Sequence, residues 1–170
     1  MMLDNNSNGV GLVFSESTYR KISRILYELN TRLKAKLTIF ADMNGYPIDY
    51  SGDVKDMNVN TLTAVAAGSF SSSNEMSSMI SGHKHFEHIL HEGARDNVYM
   101  CSVGSEYLMV IIFDKTAPTG FVRLLVHAAV KKLSQYLDTL RVQKRQASQF
   151  LDADFRSGLN NEMDRAFGLS

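Results

Sequence analysis

The histidines between residues 83 and 91 are the part of this sequence that comes nearest to a metal site. On a strand, His83, His85, Glu87 and His91 would share one face, because alternate side chains point the same way. Imidazole and carboxylate groups at neighbouring positions are zinc ligands. No further Cys, Asp or Glu cluster completes a coordination shell. We therefore expect no metal and no cofactor here, and interpret the stretch as a polar strand face or a contact between subunits.

Motifs for catalysis are missing from the rest of the chain. There is no Gly-x-x-x-x-Gly-Lys-Ser/Thr loop, so the chain is not itself a P-loop GTPase, and there is no Gly-x-Ser-x-Gly elbow. Cys101 lies within an apolar stretch, where a thiol is more often an inert core group than a nucleophile. We expect no active site within this chain.

Charge and termini exclude other functions. The 18 lysine and arginine residues balance the 18 aspartate and glutamate residues, so the net charge is zero and offers no electrostatic footprint for nucleic acid or an anionic membrane. No apolar run approaches the roughly 20 residues of a membrane span. Residues 1–9 lack the charged and apolar regions of a signal peptide, and one cysteine permits no internal disulfide. We expect a cytoplasmic protein that neither binds nucleic acid nor inserts into a membrane.

Apolar periodicity predicts three helices and five strands. Ser15 is a fair N-cap for the first helix, and Pro118 opens the last. The serines and glycines of residues 57–81 would also suit a flexible linker, but apolar positions there keep helical spacing and favour a middle helix. Pro47 places its strand at a sheet edge. The strands are predicted at residues 37–43, 46–50, 85–91, 97–103 and 106–114.

The element order predicts an α/β (α+β) fold. A five-stranded antiparallel sheet would carry the first and last helices on one face and the middle helix on the other. The strand at 106–114 is apolar throughout, which places it centrally in the sheet. We predict a flexible N-terminus over residues 1–14, a folded domain over 15–147 and a C-terminal amphipathic helical tail over 148–170.

The outward face of the middle helix is the first candidate for partner binding. With Leu62 at the centre of the buried stripe, the opposite face carries small side chains and one charge, Glu75, whereas solvated helix faces normally carry several charges. Small side chains let a second backbone approach closely. The alternative is an Ala/Ser-rich surface without function. The residues assigned to partner binding are Thr63, Ala64, Ala67, Phe70, Ser71, Asn74 and Ser78.

The tail is the second candidate for partner binding. It has an apolar side chain at every fourth position, which suits a helix that docks into a hydrophobic groove. Its other side is acidic rather than basic, which disfavours membrane docking. Gly158 interrupts the pattern, so the tail could also fray, or it could pack on its own domain. The assigned residues are Leu151, Phe155, Leu159, Met163 and Phe167.

Three stretches, in this element order, resemble the roadblock/dynein light chain family. They are the turn Asn44–Ile48, the Ala/Ser-rich segment Leu62–Ser69 and the strand segment Tyr107–Val110. The likeness extends over about residues 15–145, and a chain of this length looks most like the bacterial MglB-like subgroup. Such proteins are homodimers that bind the GTP-bound form of a small Ras-like GTPase and stimulate GTP hydrolysis in cell polarity or motility.

The resemblance also implies roles for particular segments. In the family, the middle helix pairs across the dimer and contributes to the GTPase-binding surface, and some members have a C-terminal extension that contacts the GTPase. The strand at 85–91 pairs with its twin, which assigns His85, Glu87 and Ile89 to the dimer edge. Arg95 is the one loop arginine of the folded core considered as an arginine finger. Because the subgroup is understood to reposition the GTPase's own residues, we assign no catalytic residue.

Two other functions remain compatible with these residues. A non-catalytic roadblock scaffold or adaptor for a motor or signalling complex would use the same surfaces. A small-molecule sensor of profilin-like or GAF-like layout would need a pocket with convergent polar groups, and the sequence has no recognisable set.

Overall fold

The computed structural model describes residues 14–55, 57–81 and 85–167, with side chains up to residue 143. It divides into two compact units, Met1–Leu133 and Ser134–Ser170. The predicted order of helices and strands is confirmed. The elements are α1 (Glu16–Leu33), β1 (Leu37–Asp42), β2 (Pro47–Gly52), α2 (Val59–Ser81), β3 (His88–Glu92), β4 (Asp96–Val103), β5 (Tyr107–Asp114) and α3 (Thr119–Phe167).

Capping residues set both ends of α1. The Ser15 side chain accepts a hydrogen bond from the Thr18 N–H, as an N-cap serine does. At the other end Lys34 adopts a left-handed conformation with φ of 50° and its N–H closes the last turn. The buried stripe between these caps consists of Thr18, Ile22, Leu26, Leu29 and Leu33.

The sheet is antiparallel, with strand order β2-β1-β5-β4-β3. β5 lies at its centre and is buried from Tyr107 to Phe113, as its apolar sequence predicted. β2 lies at one edge, where Pro47 costs no inner ladder bond. β3 lies at the other edge and pairs with β4 on one side only.

The two faces of the sheet are covered by different helices. Alternate residues of β1, such as Leu37 and Ile39, form one core cluster with Ala66 and Phe70 of α2. On the opposite face, Asn30 of α1 accepts a hydrogen bond from Thr38 at 3.0 Å. The groove between α1 and the first turns of α3 is lined by residues of both helices, so these two lie side by side. This arrangement is the α+β fold that the sequence predicted.

β3 begins three residues later than predicted. His85 and Glu87 precede the strand and are exposed, whereas Ile89 lies within it and is half-buried. The Phe86 N–H donates to the Asn74 side chain of α2 at 3.2 Å. Because α2 takes this backbone donor, the segment before residue 88 does not join the ladder. His83 lies outside the described residues.

The second unit is described by itself. It is the part of α3 from Ser134 onward, a continuous helix to Phe167. The Thr139 hydroxyl donates to the Gln135 carbonyl at 2.9 Å, and Arg141 lies 3.5 Å from Asp138. The predicted boundary at residue 147 stays a prediction. The side chains of Leu151, Phe155, Leu159, Met163 and Phe167 lie outside the described residues.

Cys101 is a fully buried thiol, which predicts a specific loss of stability at alkaline pH. Burial raises the pKa of Cys101 from 9.0 to about 12. Above pH 9 the unfolded chain therefore loses this proton while the folded chain keeps it, and the free energy of unfolding falls as pH rises. We expect Cys101 to contribute a loss of about 1.4 kcal/mol between neutral pH and pH 10, measured by urea unfolding.

The Cys101→Val variant is the control for this prediction. Valine fills a similar buried volume without an ionisable group, so its alkaline decline should be shallower by that amount. Native Cys101 should also resist a thiol reagent that modifies the unfolded chain rapidly. An identical alkaline slope in both proteins would refute the role of this thiol.

Candidate functional site

The turn between β1 and β2 holds the first half of α2 against the sheet. Gly45 has φ of +89°, and a Cβ there would lie 2.7 Å from the Ala64 Cα. The Asp42 carboxylate fixes the turn by accepting hydrogen bonds from the N–H groups of Asn44 and Tyr46 at 3.0 and 2.9 Å. A glycine in the turn and an alanine on the helix therefore permit direct contact between the two backbones.

The start of α2 is capped by a side chain. Asn58 Oδ1 accepts a hydrogen bond from the Thr61 N–H at 3.0 Å, and its carbonyl accepts from the Leu62 N–H at 2.9 Å. One turn further, the Thr63 hydroxyl donates to the Val59 carbonyl at 2.6 Å. This bond satisfies the Thr63 hydroxyl within the helix and allows the side chain to be buried.

Three of the residues assigned to the outward face of α2 face the interior instead. Thr63, Ala67 and Phe70 are buried, so their assignment to partner binding in the isolated chain was wrong. The helix is rotated relative to the expected stripe, because the β1–β2 turn needs small side chains beneath it and Phe70 fills the core over the sheet. Met76 and Ile80, expected in the buried stripe, are exposed for the same reason.

The other four assigned residues differ in exposure. Ala64 and Ser71 are exposed, as expected, while Asn74 and Ser78 are half-buried. Asn74 accepts the hydrogen bond from the Phe86 N–H, and the Ser78 hydroxyl donates to the Glu75 carbonyl at 2.7 Å. Asn74 thus has an intramolecular role in tying the segment before β3 to α2.

The true outer face of α2 is apolar. Val65 is 66% exposed, Met76 51%, Met79 81% and Ile80 72%. We call the outer face of α2 the exposed surface that these four residues form with the small residues between them, Gly68, Ser71 and Ser72, and with Glu75. Single exposed apolar residues are ordinary, but four large ones on one helix indicate an interaction surface.

Serine contributes little polarity to this surface. The Ser72 hydroxyl donates to the Gly68 carbonyl, and the Ser73 hydroxyl to the Ser69 carbonyl, each at 2.9 Å. Hydroxyls bound to their own helix in this way compete less for water. Glu75 is the one charged residue of α2. Sequence reasoning noted this lack of charge but missed Val65, Met76, Met79 and Ile80 as its apolar counterpart.

The edge strand β3 is the second exposed feature. One row of its backbone groups has no neighbouring strand within the chain, since β3 ends the strand order. Its Ile89 and Leu90 are half-buried. The His88 ring stacks on Tyr99 with ring centroids 5.6 Å apart and planes 9° from parallel. Such an edge is suited to pairing with another strand.

Among the described residues no group of three or more His, Cys, Asp or Glu side chains could hold a metal ion. Arg95 is exposed in the turn before β4, where its carbonyl accepts a hydrogen bond from the Lys115 N–H at 3.0 Å. No helix in the described part of the chain is long and apolar enough to cross a membrane.

Comparison with known proteins places this architecture. The family model described as Roadblock/LC7 domain matches residues 24–113. MglB of Myxococcus xanthus is 31% identical over 76% of this chain and 96% of its own, with a TM-score of 0.71. The gliding protein MglB of Thermus thermophilus is 24% identical over 74% of this chain and 94% of its own, with a TM-score of 0.66.

A Roadblock/LC7 domain from Streptomyces avermitilis shares the fold at 15% identity, over 68% of this chain and 96% of its own, with a TM-score of 0.63. None of the curated proteins matches the chain. The family model covers more than half of the sequence, and the Myxococcus protein aligns over nearly its whole length. This protein therefore belongs to the Roadblock/LC7 family and is an MglB-like member of it.

Proposed function

We propose that this protein is a cytoplasmic homodimer that binds the GTP-bound form of a small Ras-like GTPase and activates GTP hydrolysis, in cell polarity or motility. The observation that carries the proposal is the outer face of α2, with four large exposed apolar residues and one charge. A roadblock domain similar to MglB gives that face its functional context, since the domain supports a GTPase-regulating role.

Pairing between two β3 strands would form the homodimer. Antiparallel pairing across this edge would give partners to the exposed row of backbone groups and continue the sheet through both subunits. Such a dimer places both copies of α2 on the same face of the joined sheet. His85, Glu87 and Ile89 remain the proposed edge residues, with Ile89 inside the strand and the other two just before it.

The activating mechanism would lie in the conformation of the partner. We infer that docking on the outer face of α2 stabilises the hydrolysis-competent arrangement of the GTPase's switch segments. All reacting groups then belong to the GTPase, and Arg95 supplies none. The tail residues Leu151, Phe155, Leu159, Met163 and Phe167 are proposed as an additional contact, on the basis of their spacing in the sequence.

Single-turnover GTP hydrolysis tests the activator role. Each small Ras-like GTPase of the source organism is loaded with GTP and mixed with the whole chain or with a chain truncated after Gln146. We expect acceleration of about tenfold or more for one of them, which corresponds to a barrier lower by about 1.4 kcal/mol. Acceleration by both forms would place activation on the folded dimer, whereas acceleration by the whole chain alone would make the tail an essential contact.

A non-catalytic scaffold is the other outcome of the same experiment. A GTPase that binds the chain stably, but hydrolyses GTP at its intrinsic rate with either form, would refute activation. A complex with GTPase loaded with a non-hydrolysable GTP analogue, and none with the GDP form, would still support regulation through nucleotide-dependent binding.

A further inference from the structure

The net charge of zero conceals a separation of charge within the fold. We define the basic helical face as α1 together with α3 up to Leu133. These two segments carry seven lysines and arginines against two glutamates, a net charge of +5 with histidine neutral. Residues 34–118, which hold the strands and α2, carry six cations against ten carboxylates, a net charge of −4.

All the cations of this face are exposed to solvent. The two carboxylates, Glu16 and Glu28, are also exposed, and each forms an ion pair within α1, at 2.5 Å with Arg20 and at 3.0 Å with Arg24. The first part of α3 contains no carboxylate that could offset its cations. The cations are Arg20, Lys21, Arg24, Arg32, Arg123, Lys131 and Lys132.

Large apolar side chains project among these cations. Leu124 is 66% exposed and Phe121 is 47% exposed on α3, and Tyr27 is 65% exposed on α1. The groove between the two helices, lined by Ile25, Leu125 and neighbouring residues, encloses about 40 Å³. Ligand sites enclose roughly 300–1,000 Å³, and a protein partner gains most affinity from anchors that fill pockets. This groove is too shallow for either.

We propose that the basic helical face adsorbs to the surface of an anionic lipid bilayer. A bilayer needs no pocket, because it accepts projecting phenylalanine and leucine side chains while its headgroups pair with lysine and arginine. The contact is peripheral and involves no spanning helix. It corrects the expectation that a zero net charge leaves no footprint for an anionic membrane, since that expectation treated the charge as evenly distributed.

Co-sedimentation of the full chain with vesicles tests the proposal. We expect binding to vesicles of phosphatidylglycerol mixed with phosphatidylcholine, weakening as salt is added, and none to phosphatidylcholine alone. Each basic residue near an anionic surface raises partition by roughly fivefold. Lys131→Glu should therefore reduce binding by about tenfold or more, and Leu124→Ser should reduce it without changing the salt dependence.

Lys55→Glu is the matched control, because it makes the same charge change in the loop between β2 and α2. It should leave vesicle binding within about twofold of the unsubstituted chain. Equal losses for Lys55→Glu and Lys131→Glu would overturn the assignment to this face. No sedimentation with anionic vesicles at low salt would overturn the proposal and leave an acidic protein as the occupant. The assay contains no GTPase, so its failure would be distinguishable from a failure of the proposed function.

Discussion

Replacement of Gly52 by alanine is expected to lower the free energy of unfolding by about 3 kcal/mol or more. Gly52 has φ of +131°, a conformation that side-chain-bearing residues rarely adopt. A Cβ there would overlap the carbonyl oxygen of Lys36 and lie 2.8 Å from the Leu37 Cα. Both atoms belong to backbone at the start of β1, which pairs with β2 and β5, so they cannot move without distorting the sheet.

Gly120→Ala is the matched control for the Gly52 substitution. Gly120 lies in the first turn of α3 with nothing within 4 Å of an added Cβ. Alanine there should leave stability unchanged or raise it by up to about 1 kcal/mol, because alanine favours the helix. Chemical denaturation of both variants measures the difference. A Gly52→Ala protein within about 1 kcal/mol of the unsubstituted chain would show that the end of β2 tolerates displacement.

The sequence was sufficient for most of the fold because its local signals agree with each other. Ser15 supplies an N-cap, Asn44–Gly45 supplies a turn, and the unbroken apolar run of β5 requires burial on both faces. The start of β3 could not be predicted in the same way. It depends on the Asn74 side chain of α2, which takes the Phe86 N–H and is far away in sequence.

The orientation of α2 was the main failure, and it has a physical cause. Alanine and serine have little preference for either face of a helix, so the apolar pattern of α2 is weak and several rotations fit it. Contact between Gly45 and Ala64 across the β1–β2 turn selects one rotation, which buries Thr63 and Ala67 and exposes Val65. The charge separation also depends on tertiary structure, because it follows from which helices share a face of the sheet.

Charge introduced on the outer face of α2 should abolish its interactions. Met79→Glu or Val65→Glu removes an exposed apolar contact and places an unpaired carboxylate in the proposed interface. Losing one such side chain costs about 1.5–3 kcal/mol, and a desolvated unpaired charge costs more. We expect the dissociation constant for the GTP-bound GTPase to rise by at least about 100-fold, measured by titration calorimetry.

Thr31→Glu is the control for these substitutions, because it introduces the same charge at an exposed position of α1, on the opposite face of the sheet. It should leave GTPase binding unchanged, and circular dichroism should show all three variants folded. Sedimentation equilibrium then separates the two roles of α2. Loss of self-association with GTPase binding retained would assign the outer face to the homodimer alone. Retention of both in Met79→Glu and Val65→Glu would exclude this face from partner binding, because a buried carboxylate at either site could not be neutral in effect.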